Sequence, residues 1–506
     1  MTAVDGVGMS RLWQTKSVEQ SIADTTEPGH QLRRTLSAWD LTVFGVAVVI
    51  GAGIFTLAAS TAGDLAGPAV SLSFVLAAVA CGLAALCYAE FASTVPVAGS
   101  AYTYAYATFG EFIAWILGWD LVLEFSLASA VVAKGWSTYL EQAAAQVGLV
   151  VPTMISVGGI VIDWGAIIVV LALAVVLATG TKMSARFSAA ITALKVAVVL
   201  LVIVVGVGYV NTDNYTPFVP PSIPAEGGAN GLHASLFAFV MGDIGSDYGW
   251  FGVLAGASIV FFAFIGFDIV ATTAEETRNP QRDMPRGILW SLLIVTVLYI
   301  ATSLVMTGMR PFSDLATTPD GQRSTLATTF TEMGVDWAAA VIAFGALAGL
   351  TTVVMVLMLG QIRVLFAMSR DRLLPASWSR TRENGVPVRA TLGVAVFIAI
   401  LAGFFQAGAL EEMVNVGTLF AFVLVAAGVL VLRRRRPDLK RGFRTPLVPL
   451  VPILAILACV WLMVNLTVLT WLRFAAWMII GLFVYFAYGY RKAKLGRDTA
   501  STAVDQ

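Results

Sequence analysis

Apolar runs of membrane-spanning length alternate with short polar connections along nearly the whole chain. A span needs about 20 mainly apolar residues. By that measure there are twelve: 41–62, 69–92, 112–140, 164–180, 187–210, 251–273, 287–309, 338–366, 390–406, 412–432, 447–470 and 473–490. The first 38 residues are polar and mixed in charge, without the short basic start and immediate apolar stretch of a secretory signal. The pattern predicts an all-α integral membrane protein of about 12 transmembrane helices. Two runs carry an interruption. "VVIGAGIFTL", Val48 to Leu57, sets two glycines and an alanine midway through the first span, and "FFAFIGFD", Phe261 to Asp268, interrupts the sixth. Glycine costs about 1 kcal/mol in a helix interior relative to alanine. These helices are therefore expected to come apart there.

Composition narrows the class. The chain has 506 residues, 58% hydrophobic and 12% charged, against about 25% charged in an average soluble domain. Net charge is zero and no basic groove is sustained, which argues against nucleic acid. Cys81, Cys87 and Cys459 are odd in number and lie in apolar runs, so neither a disulfide framework nor a zinc site is indicated. There is no G-x-x-x-x-G-K-[ST] loop and no insert long enough for a nucleotide-binding domain, which argues against an ATP-driven pump built from this chain alone. The two histidines, His30 and His233, lie outside the spans, and an intramembrane hydrolase would need a base or metal ligand at depth. No cofactor or metal is implied, and the chain reads as not an enzyme.

Charge distribution sets the topology. The tails and even-numbered loops hold 26 of the 31 basic residues. The other five are Arg310, Arg323 and Arg473 on the opposite side, and Lys134 and Lys195 within spans. The positive-inside rule places both termini in the cytoplasm of a multi-pass plasma (inner) membrane protein, with the Lys- and Arg-free loop 211–250 outside. "RRRRPDLKRGFRTP" reads as a stop-transfer anchor with affinity for anionic lipid headgroups.

Depth follows from counting at 1.5 Å per residue. Gly51 and Gly53 lie roughly 15–18 Å in, about half-way through a ~30 Å core, and Ala263 to Gly266 enter to a similar depth from the other side. Matching interruptions in two oppositely inserted five-span blocks point to the binding site of a secondary transporter, whereas close helix packing alone would also use small residues. Glu124 in "LVLEFSL" and Lys195 in "ALKVAVV" share that depth. Charges there face the protein interior and mark pathways or proton relays. Lys195 is a candidate proton carrier; Glu124 meets a cationic group of the substrate or holds Lys195 as a static pair. Asp120 sits one turn before Glu124 on the same face, and Lys134 can snorkel from the outer end of its span. Asp268, Glu275 and Glu276 follow the second interruption; Asp268 and Glu276 are gate candidates that nearby arginines could pair.

"GAGIF", "YAEFASTVPVAGSAYTYAYATFGE", "GWDLVLEF", "FFAFIGFDIVATTAEETRNPQRDMPRGI", "RVLFAMSRDRLLP" and "NVGTLFAFVLV…LRRRRPD" together resemble the amino acid–polyamine–organocation superfamily. They are most similar to its cationic amino acid transporter branch and bacterial relatives, over about Leu36 to Pro449. The resemblance implies a leucine-transporter-type 5+5 inverted repeat with discontinuous helices 1 and 6 plus two peripheral helices. It divides the chain into a tail 1–38, a first repeat 39–211, an extracellular loop 212–250, a second repeat 251–432, a basic linker with the last two spans 433–490, and a tail 491–506. It implies that backbone groups around Ile50, Gly51, Ala52 and Gly53 receive a substrate carboxylate, and carbonyls near Phe262, Ala263 and Ile265 an α-ammonium. Lys195 matches the lysine of proton-coupled relatives, and Met355 is a wall residue of the side-chain pocket. Relatives often carry a hydroxyl residue where Ala52 stands. The resulting expectation is a proton-coupled permease for cationic or neutral L-amino acids, its partners an amino acid, protons and membrane lipids, with a small membrane subunit left open. An amino acid exchanger and a transport-inactive sensor are the alternatives.

Overall fold

The computed structural model describes residues 13, 15, 35–97, 100–180, 185–224, 231–241, 246–318, 323–382 and 385–493. The predicted tails are therefore described only at Trp13, Thr15, 35–38 and 491–493, and His30 and Lys182 lie outside the described residues. The first five long helices are α1 (Ala38–Val49), α2 (Val70–Thr94), α3 (Glu111–Gln146), α4 (Trp164–Ala178) and α5 (Ala185–Gly206). Those that follow are α6 (Gly249–Val260), α7 (Pro280–Met309), α8 (Asp336–Arg370), α9 (Val388–Phe404) and α10 (Ala407–Arg435). α11 (Leu450–Val464) and α12 (Val468–Val484) complete the order. Among the described residues, eight helical stretches have the length and hydropathy to cross a membrane, the first of them, Ala38–Thr94, containing both α1 and α2; α4, α9 and α11 are shorter apolar helices. The chain is thus an all-α membrane protein with a helix at each of the twelve predicted runs.

Local chemistry explains the starts and stops. α1 opens on a capping box in which Asp40 N–H donates to Ser37 Oγ and Ser37 N–H to the Asp40 carboxylate. It ends at Ile50, whose ψ of 90° is extended. Beyond it the chain winds again from Ala52 through wide π turns at Gly53–Leu57 and Ala62–Ala66. α6 tightens into a 3-10 turn at Phe261–Phe264, leaves the helix at Ile265 (ψ 135°) and resumes as a 3-10 segment over Asp268–Glu276. α3 lies along α8 and α10, while α1 and α2 pack on α7.

Some boundaries differ from the pattern reading. α3 runs to Gln146, a short helix Ser100–Thr108 precedes it, and strands Met154–Val157 and Ile160–Asp163 form a hairpin before α4. The last turn falls at 465–467, so Arg473 lies inside α12 and not in a loop. Asn465 and Thr467 are flanked by apolar residues on both sides, which hides that turn. The Thr467 hydroxyl sets it by accepting the Thr470 N–H at 3.3 Å.

Lys134 does not snorkel. Its ammonium donates to the Ala402 carbonyl at 2.9 Å and faces Asp163 at 3.3 Å. Asp163 is buried, accepts from Ser137 Oγ at 2.6 Å and caps α4 through the Ala166 N–H. A carboxylate already committed to two elements holds the lysine inside. Lys134→Ala is expected to cost about 2–4 kcal/mol, since it leaves that carboxylate buried without its counter-charge. A melting temperature in detergent equal to wild type would contradict it.

Candidate functional site

The two interrupted helices meet at their interruptions. Gly53 faces Ala263 so closely that any Cβ at Gly53 would overlap Ala263 Cα and Cβ, and would lie 3.0 Å from its nitrogen. Gly266 takes a φ of +118°, and a Cβ there would stand 2.7 Å from a Val48 methyl. Glycine is used at the first for backbone approach and at the second for a left-handed conformation. Ile50, Gly51, Ala52, Gly53, Phe262, Ala263 and Ile265 are all buried around this crossing. Gly51 faces Val353 of α8, two residues before the buried Met355.

The polar ends exposed by each interruption have distinct uses. The first N–H groups of the segment after the interruption, from Ala52, have no intrahelical acceptor and carry the positive end of a helix dipole. The carbonyls ending α1 are met from other helices. Lys195 Nζ donates to Ala47 O at 2.6 Å, and Tyr299 OH of α7 donates to Val49 O at 2.6 Å. At the second interruption Asn415 Nδ2 of α10 donates to Ser258 O at 2.8 Å and Ile259 O at 3.4 Å. Phe262 O accepts the Ile265 N–H at 3.2 Å and keeps a second lone pair. Such an arrangement offers N–H groups to an anion and carbonyls to an ammonium within one enclosed crossing.

Lys195 is fully buried, its stem lying on Gly349 of α8. Glu124 is not its hydrogen-bonded partner: both Glu124 oxygens lack one, and the lysine is committed to Ala47 O. The same holds for both oxygens of Asp120 and of Asp268, all three residues being buried. Glu124 is flanked by Asp268, Asp120 and Thr418, while the hydroxyls of Tyr88 and Tyr104 nearby are also unpartnered. Asp268 thus stands inside, in an acidic room, and not at the membrane surface. Buried carboxylates without partners are costly, and a proton or a cationic group placed among them would relieve that cost.

Both ends of the crossing are closed. On one side Glu276 pairs with Arg363 of α8 at 3.1 Å, and the N–H groups of Thr35 and Leu36 both donate to Glu276 O. On the other, Asp64 accepts from Thr317 N–H at 2.8 Å and its hydroxyl at 2.6 Å. Tyr248 OH donates to Gly63 O, and Tyr139 OH to Phe55 O at 2.8 Å. Arg323 pairs with Glu411 at 2.6 Å, and that carboxylate raises the guanidinium above its ordinary value.

Tyr299, Asn415 and the Gln361–Ser126 pair (2.5 Å) were not singled out from sequence. Their signal was weak: one polar residue in an otherwise apolar run, which is costly at depth only if left unpaired.

Comparison with known proteins follows this geometry. The model of the family described as amino acid permease matches residues 36–487. The chain is 41% identical over 494 residues to the branched-chain amino acid permease BcaP of Bacillus subtilis, covering 96% of this chain and 99% of that protein. It is 40% identical over 495 residues to the methylthioribose transporter of the same organism, covering 97% and 100%. To the vacuolar cationic amino acid transporter 4 of Arabidopsis thaliana it is 39% identical over 436 residues, 85% of this chain and 68% of that one. With two interrupted helices crossing at a closed centre and a family match spanning nearly all the helices, the chain belongs to the amino acid permease family.

Proposed function

We propose that the chain is a secondary carrier of L-amino acids in the plasma (inner) membrane, both termini cytoplasmic, coupled to protons through Lys195 and working by alternating access. The observation that carries this reading is the crossing of Gly53 on Ala263, where a helix N-terminus and the carbonyls of a 3-10 turn face one enclosed point. The substrate carboxylate sits on the N–H groups from Gly51 to Gly53, and the α-ammonium on carbonyls near Phe262, Ala263 and Ile265. Lys195 gives up its proton when the contact to Ala47 O is broken, so its charge state and the position of α1 change together. Closure alternates between the Glu276–Arg363 side and the Asp64–Thr317 side.

An inverted repeat supports the mechanism. α5, the fifth helix of the first block, donates to the end of α1, and α10, the fifth of the second, donates to the end of α6. Corresponding helices thus do the same work in both blocks.

The acidic room around Glu124 favours a cationic or small neutral side chain, while relatives named for branched-chain substrates widen the field. A relative named for methylthioribose supplies the second reading, a substrate with neither ammonium nor carboxylate. Thermal shift of the purified protein against the twenty L-amino acids, ornithine and methylthioribose decides among them, because a ligand of the folded state raises its melting temperature. A shift with amino acids is expected, and a shift with methylthioribose alone would overturn the proposal. Glu124→Gln, which keeps size and removes charge, is expected to weaken any Lys, Arg or ornithine shift about tenfold or more in affinity, while leaving neutral amino acids within about threefold. Equal loss for both classes would remove Glu124 from selectivity.

A further inference from the structure

Arg282, Arg286, Leu289, Trp290 and Leu293 recur at three- and four-residue intervals and so form one stripe along α7. With Gly442 and Phe443 opposite, they line a groove of about 510 Å³. Its two ends differ in chemistry. Arg282 and Arg286 are exposed and neither guanidinium pairs with a described residue. Seven residues further along, about 10 Å at the helical rise, the wall is apolar and open to the surrounding medium, with Trp290 56% and Leu293 51% exposed.

The facing wall is rigidly mounted. Glu90 of α2 holds Arg433 at 2.7 Å, Arg441 at 3.2 Å and the Thr445 N–H at 2.7 Å, and Phe443 N–H donates to Ser93 Oγ at 3.1 Å. The connection from α10 to α11 is therefore a fixed shelf and not a loose basic tether. Gly442 lies directly against Gln281, where a Cβ would meet the Gln281 side chain and carbonyl, so the two walls touch beside Arg282, while Trp290 and Leu293 at the other end are exposed.

Two guanidiniums without a partner among the described residues match, at the polar end, a phosphodiester, which accepts their N–H groups in pairs. The adjoining apolar stripe matches an acyl chain, and an exposed tryptophan between them is typical of the headgroup level. Free phosphate would use only the first half, and in a zwitterionic lipid the headgroup ammonium opposes the two arginines. We infer that this groove binds one anionic phospholipid, its phosphate on Arg282 and Arg286 and one chain along Leu289, Trp290 and Leu293. The lipid bridges the first turns of α7 to the shelf on α2.

The purified full-length protein in detergent tests this, with phosphatidylglycerol, phosphatidylcholine and inorganic phosphate as probes, read by native mass spectrometry and thermal shift. Phosphatidylglycerol is expected to remain bound and to raise the melting temperature more than phosphatidylcholine does, with phosphate alone giving no shift at millimolar concentration. Arg282→Gln with Arg286→Gln is expected to weaken phosphatidylglycerol about 30-fold with the lipid-free melting temperature unchanged, since both side chains are exposed. Trp290→Ala tests the apolar half separately and is expected to lose several-fold. Equal retention of the two lipids, undiminished binding by the double variant, or a shift reproduced by phosphate alone would each overturn the inference.

Discussion

Proteoliposomes carrying Lys195→Ala are expected to show no uptake above background under an inward proton gradient with which the wild-type protein is expected to accumulate substrate. The reason is chemical rather than steric. Lys195 is the only basic side chain that is both fully buried and hydrogen-bonded to the end of α1 among the described residues. On the proposed mechanism its proton is the one whose gain or loss would be felt at the interruption. The substitution also leaves Ala47 O without its donor, at a cost of about 1–3 kcal/mol, so some loss of stability is expected and does not by itself test the role. The discriminating readout is exchange. Counterflow of labelled substrate across vesicles at equal pH should persist in the variant, because exchange needs the site but no net proton movement. A gradient response that survives in Lys195→Ala would remove the lysine from coupling. Loss of counterflow along with uptake would make it a structural residue instead.

The second large effect is expected at Gly53. Gly53→Ala pushes a methyl into the backbone of Ala263, which has no side chain to swing away. Overpacking in a close-packed interior costs about 1–3 kcal/mol where neighbours can yield, and the upper end or more applies here because the methyl meets Ala263 Cα and Cβ, neither of which can rotate away. The two interruptions must separate, so substrate-induced thermal shift and uptake should both be lost. Gly51→Ala is the internal control. A Cβ there meets Val353 methyls at 3.4 and 3.5 Å, ordinary contact that a rotamer change relieves. Its melting temperature should stay near wild type. If Gly53→Ala binds and transports normally, the close crossing is not required and the proposed site fails with it. If both variants behave alike, the small residues serve helix packing in general.

Much of the architecture was legible in one dimension. Hydrophobic run length located a helix at each of the twelve runs, because backbone groups in lipid must be satisfied inside each segment. "GAG" and "FIGF" located the interruptions because glycine is locally costly in a helix and is kept only where something else requires it. Glu276 was a gate candidate from its place after the second interruption, and the structure pairs it with Arg363. Lys134 and Arg473 were misread for opposite reasons. The first has a long-range partner in Asp163 that no local pattern reveals. The second depends on a threonine cap flanked by apolar residues on both sides.

The sequence by itself determined that the chain belongs in a membrane, where its apolar helices lie, where two of them lose their helix, and which charged residues fall within them. These are properties of composition and spacing, and the solvent enforces them segment by segment. Only the tertiary structure decided who satisfies whom. Lys195 meets a carbonyl 148 residues away, Tyr299 one 250 residues away and Asn415 one 157 residues away, while Glu124 meets none. Hydrogen bonds act over about 3 Å, so they answer to which helices pack together and not to order along the chain.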